Sequence, residues 1–120
     1  IVFPGYGYIS ATVETPPDKV DGFFTAVAKI AAELRDTPVT ADELERARKP
    51  LMETLQRQRQ TNEYWLSALA GSDRDTRRLD LVRSLFGTLE VITPADLQRA
   101  ARTYLKDDSA WRLVVRPAPS

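Results

Sequence analysis

From Asp18 to Arg35 the apolar residues Val20, Phe23, Phe24, Val27, Ile30, Ala31 and Leu34 recur at helical spacing, so that they form one continuous stripe. A stripe that wide must be covered, and the rest of the chain has to be searched for what covers it.

Two flanking segments alternate instead. Tyr8-Ile9-Ser10-Ala11-Thr12-Val13-Glu14-Thr15 sets Ile9, Ala11 and Val13 against polar neighbours, and Trp111, Leu113 and Val115 alternate with Arg112, Val114 and Arg116. Period two is the pattern of a half-buried strand. Pro4-Gly5-Tyr6-Gly7 reads as a turn after a short extended Ile1-Val2-Phe3, while Pro16-Pro17 and Pro117 close the two strands. Between them lie further helices. Thr40-Ala41-Asp42-Glu43 is a capping box, with Leu44, Ala47, Leu51 and Leu55 as the expected inner face and a kink expected at Pro50. Without interruption to Ala70 that helix would span about 45 Å, so it must bend or rest on something else. Leu79, Val82, Leu85, Phe86 and Leu89 mark a third helix. Thr93-Pro94-Ala95-Asp96 opens a fourth, which buries Leu97, Ala100, Ala101, Tyr104 and Leu105.

The expected fold is therefore α+β: an antiparallel sheet with helices packed on one face, in the order strand, four helices, strand. Two strands cannot support this much helix. Residues 1–120 are expected to be the C-terminal part of one domain whose other strands lie upstream.

Composition narrows the chemistry. The chain has 17 Lys and Arg, 17 Asp and Glu, and neither His nor Cys. The usual zinc, haem, iron–sulfur and thiol sites and His-dependent nucleophiles cannot be built from it, and any metal would need carboxylates alone. A zero net charge argues against nucleic acid as a partner, and no apolar run approaches the length that spans a bilayer. Glu63, Asp73, Asp75 and Asp80 lack the spacing of a calcium loop and read as solvated charges. Arg46, Arg48, Lys49, Arg57 and Arg59 interleave with Glu43, Glu45 and Glu53, which reads as a solvated helix face. The aromatic groups are the remaining candidates. Tyr6 and Tyr8 beside glycine, and Asn62 and Trp65 near the expected helix break, could contact a peptide or an interface, although packing explains such aromatics as well.

Taken in order, Phe3-Pro4-Gly5-Tyr6-Gly7-Tyr8-Ile9-Ser10-Ala11, Val39-Thr40-Ala41-Asp42-Glu43-Leu44-Glu45-Arg46-Ala47-Arg48, Thr61-Asn62-Glu63-Tyr64-Trp65-Leu66, Ile92-Thr93-Pro94-Ala95-Asp96-Leu97 and Trp111-Arg112-Leu113-Val114-Val115-Arg116-Pro117 resemble the last part of an insulinase/pitrilysin-type zinc metallopeptidase, an inverzincin. The T-N-x-Y-W-L element resembles bacterial periplasmic members. The resemblance implies repeated α+β domains paired into halves that enclose and hydrolyse unfolded peptides. It implies zinc in the parent protein's N-terminal domain, held by His-x-x-Glu-His, with no catalytic, cofactor or metal residue in this portion. The family's substrate-positioning Arg and Tyr would lie just before Ile1. The partners implied are the peptide substrate and another domain of the same chain or a paired subunit, and the implied location is the periplasm. The alternative is a catalytically inactive structural or peptide-binding partner of a zinc peptidase.

Overall fold

The computed structural model describes residues 7–118. Five α-helices carry it: α1 (Val20–Asp36), α2 (Ala41–Gln58), α3 (Asn62–Leu69), α4 (Arg77–Val91) and α5 (Pro94–Tyr104). Single 3-10 turns over Pro17–Lys19 and Asp107–Ser109 bracket them. α1 packs on α5, while α4 packs on both α2 and α3.

The expected α+β architecture is overturned. Among the described residues there is no strand; both alternating segments are irregular. The reason lies in the backbone. A strand exists only where a neighbour takes up its N–H and C=O groups, and among the described residues no backbone hydrogen bond joins Ile9–Thr15 or Trp111–Val115 to another segment. Alternation records a two-sided environment but does not supply one. Ile1–Phe3 and, of the expected turn Pro4-Gly5-Tyr6-Gly7, all but Gly7 lie outside the described residues.

The helix starts follow the sequence closely. The Glu43 amide donates to Thr40 Oγ1 at 3.2 Å and the Thr40 amide to the Glu43 carboxylate at 2.8 Å. At α5 the Asp96 amide donates to Thr93 Oγ1 at 3.3 Å and the Thr93 amide to the Asp96 carboxylate at 3.0 Å. Each box satisfies amides that a helix leaves without partners. α2 runs through Pro50 without ending there and stops at Gln58.

The inner face of α2 is rotated from the expected one. Leu44 and Leu55 are buried and Arg48, Met52 and Arg59 half-buried, while Ala47 and Leu51 are exposed. Spacings of four, four, three and four make 44, 48, 52, 55 and 59 as good a stripe as 44, 47, 51 and 55. Arg48 decides between them by what it donates to at the end of α4. On α5, Ala101 is buried as expected, but Ala100 and Tyr104 are exposed.

That role of Arg48 belongs to a pattern. The last carbonyls of a helix have no partner inside it, and here each helix end receives a side-chain donor from another helix. Arg48 of α2 donates to Glu90 O at 2.5 Å and to Ile92 O at the end of α4. Arg78 of α4 donates to Ala68 O at 2.9 Å and Ser67 O at 3.2 Å at the end of α3. Trp65 of α3 donates its indole N–H to Arg59 O, just past α2, at 2.8 Å. Arg102 and Gln98 of α5 donate to Arg35 O near the end of α1 at 2.9 and 3.1 Å. The Arg35 guanidinium returns the contact, donating to Leu105 O and pairing with Asp107 at 3.2 Å.

The hydrophobic core is small. Leu44, Leu55 and Ala101 are the buried apolar residues among those described. The accessible surface is 10230 Å², against about 6,500 Å² for a compact monomer of 13.5 kDa. The chain thus buries about half of what its unfolded form exposes, where about two thirds is usual. Its radius of gyration, 17.6 Å, exceeds the roughly 13 Å of a compact chain this long. The α1 stripe is only partly covered: Ile30 is 55% exposed, and Val20, Phe23, Phe24, Val27, Ala31 and Leu34 are half-buried.

Candidate functional site

The turn from α2 into α3, where both meet α4, gathers a set of polar and aromatic side chains. After Gln58 the chain turns over Arg59-Gln60-Thr61. Thr61 Oγ1 then accepts the Tyr64 amide at 3.2 Å and donates to Gln58 O at 2.7 Å, so one hydroxyl closes α2 and opens α3. Thr, as an N-cap, is suited to both tasks. Trp65 stands edge-on to Tyr64, with ring centroids 5.2 Å apart at 87°. The Arg59 guanidinium lies 5.8 Å from the Trp65 centroid and 5.6 Å from that of Phe86, which ties the turn to α4.

Of the residues singled out in the sequence, Trp65 is half-buried in this corner and Asn62 is exposed at the first position of α3. Tyr8 is 78% exposed in the irregular segment before α1, and Tyr6 lies outside the described residues. The corner brings Asn62 and Trp65 onto one short helix. Tyr8 belongs to the separate segment before α1.

A notch of about 470 Å³ runs along α3, lined by Gln58, Thr61, Glu63, Tyr64, Ser67, Ala68 and Arg78. Gln58, Ser67 and Arg78 were not legible as site residues. They come from three helices, and no spacing in the sequence connects position 58 or 67 with 78. Adjacent Arg77 and Arg78 take different roles. Arg77 pairs with Asp75 at 2.8 Å, and its guanidinium holds the Asp75 carboxyl below the usual carboxylate range. Arg78 turns inward to α3.

The other carboxylates are engaged locally. Asp80 faces Arg83 at 3.9 Å, and among the described residues no three His, Cys, Asp or Glu side chains are grouped to hold a metal ion. The Glu43 carboxyl is held below its ordinary value mainly by the Thr40 amide, and that of Asp96 mainly by the Thr93 hydroxyl. These are helix-start effects. No described helix is long and apolar enough to cross a membrane. Comparison with protein-family models, curated proteins and solved structures finds no match to this chain.

Proposed function

We propose that this chain is a non-catalytic C-terminal portion of a periplasmic zinc metalloendopeptidase, one that helps to enclose unfolded peptides while another domain supplies the metal and the chemistry. Its support is the order and wording of the helical elements T-x-x-E-L-x-R-A, T-N-x-Y-W-L and T-P-A-D-L, which resemble that family. The sheet of such domains is not part of this reading. One structural observation carries the rest: an open set of helices that leaves Leu51, Leu66, Leu81, Val91, Trp111, Leu113 and Val115 more than half exposed is suited to being one wall of something larger.

The test is to recover the chain in its native assembly through an affinity tag and to assay hydrolysis of an unfolded polypeptide with and without a zinc chelator. Chelator-sensitive cleavage that returns with added zinc is the expected result. An assembly with no zinc and no peptidase activity would refute the reading and leave the inactive structural partner.

A further inference from the structure

The packing between helices is divided. Beyond isolated contacts, α1 packs on α5, and α4 packs on α2 and α3. Polar contacts divide in the same way. Among the described residues, every side-chain hydrogen bond or ion pair that reaches from one helix to another, or to its flanking turn, stays within the pair α1 and α5 or within the trio α2, α3 and α4. The ring contacts follow suit: Arg59 lies against Trp65 and Phe86 in the trio, whereas Arg112, beyond α5, lies 5.1 Å from the Phe24 centroid of α1.

Two stretches of chain cross between the pair and the trio, and both are short. Thr37 donates its amide to Glu33 O at 2.9 Å, which keeps it with α1, and Thr40 is tied to Glu43 at the start of α2. Pro38 and Val39 stand between them, with no backbone hydrogen bond among the described residues. On the return, the Ile92 carbonyl is held by Arg48 of α2 and the Thr93 amide by Asp96 of α5. The second crossing therefore falls on the single peptide link between Ile92 and Thr93, flanked by extended torsions of 134° (Ile92 ψ) and −110° (Thr93 φ). A body joined at one flexible point turns about any axis; a body joined at two turns only about the line through both.

We infer that the α1–α5 pair and the α2–α4 trio turn against each other as rigid bodies, about an axis through Pro38–Val39 and Ile92–Thr93. The capping contacts clamp the helix ends on either side of each crossing, so the rotation is absorbed by the few torsions left between them. An accessible surface of 10230 Å², against about 6,500 Å² for a compact chain of this mass, makes a smaller angle between the two bodies the direction that apolar burial favours.

The chain has no cysteine, so paired spin labels attach only where cysteines are introduced. Ala26→Cys with Gln56→Cys spans the two bodies; Ala26→Cys with Ala100→Cys, and Gln56→Cys with Thr88→Cys, each report within one, all at exposed positions. Distances measured by pulsed electron paramagnetic resonance on the frozen 120-residue chain should be distributed about twice as broadly across the bodies as within either, because only the spanning pair samples the rotation. Val39→Gly, which frees the backbone of one crossing, should broaden the spanning distribution further and leave the other two unchanged. A spanning distribution as narrow as the internal ones, or a Val39→Gly change that broadens all three alike or none of them, would overturn the inference.

Discussion

Arg48→Met tests how α2 holds the end of α4. The Arg48 side chain is 17% exposed, and methionine keeps much of its length and apolar stem while removing both donors. The bond to Ile92 O is partly buried and the one to Glu90 O exposed. A charged donor in the first setting contributes about 1.5–3 kcal/mol and a solvated bond about 0.5–1.5 kcal/mol. Against this, Arg48 Nε is buried with no acceptor, a penalty of about 1 kcal/mol or more that methionine relieves. The net expectation is a loss of about 2 kcal/mol. Lysine can reach one carbonyl but not fork to two, so Arg48→Lys should lose about 1 kcal/mol. Urea unfolding followed by far-UV circular dichroism, with a slope of about 1.5 kcal/mol per molar, should shift the midpoint down by about 1.3 M for methionine and roughly half of that for lysine. A methionine variant melting at the wild-type midpoint, or two variants that coincide, would show that the forked guanidinium is not what secures α4.

Thr40→Ala and Thr93→Ala should each cost about 1 kcal/mol by the same measurement, since each removes a capping-box hydroxyl. The Glu43 and Asp96 carboxyls are held low in the folded state, so their contribution is complete above the ordinary carboxylate range and is lost as pH falls through the folded values. The urea midpoint should therefore be flat above about pH 5 and decline below it, and less steeply in Thr40→Ala; an unchanged acid decline in that variant would discount the box. Trp65→Phe keeps an aromatic ring but removes the donor to Arg59 O, and should cost about 1 kcal/mol in the same unfolding curves. Finally, the exposed Trp111, Leu113 and Val115 should bind a hydrophobic dye and drive concentration-dependent association in sedimentation; a monomer that binds no dye would contradict the exposed surface described here.

Helices were legible where local chemistry decides them. Thr40 with Glu43 and Thr93 with Pro94 and Asp96 mark two starts, because a cap is built from residues within one turn. The strands were not, because Ile9–Val13 and Trp111–Val115 carry the right alternation while pairing is a property of a neighbour. The inner face of α2 was misplaced by its arginine: hydrophobic periodicity counts Arg48 as polar, but its stem is apolar and its head group has two carbonyls to reach. Of the candidate site, Trp65 was legible as an aromatic at a helix break. The notch along the same helix was not, since Gln58, Ser67 and Arg78 meet only after three helices have packed.

The helix-end contacts also decide how the molecule comes apart. α2 secures α4 through Arg48, α4 secures α3 through Arg78, and α3 secures α2 through Trp65, which closes a circuit of three. α1 and α5 secure each other through Arg102 and Arg35, a circuit of two. Within a circuit no helix can unfold as a whole without freeing the end of the next, so protection against hydrogen exchange should fall into two blocks of amides instead of five. The chain crosses between the blocks only around Thr37–Thr40 and Ile92–Thr93, and the three-helix block is therefore threaded as one insertion into the two-helix one.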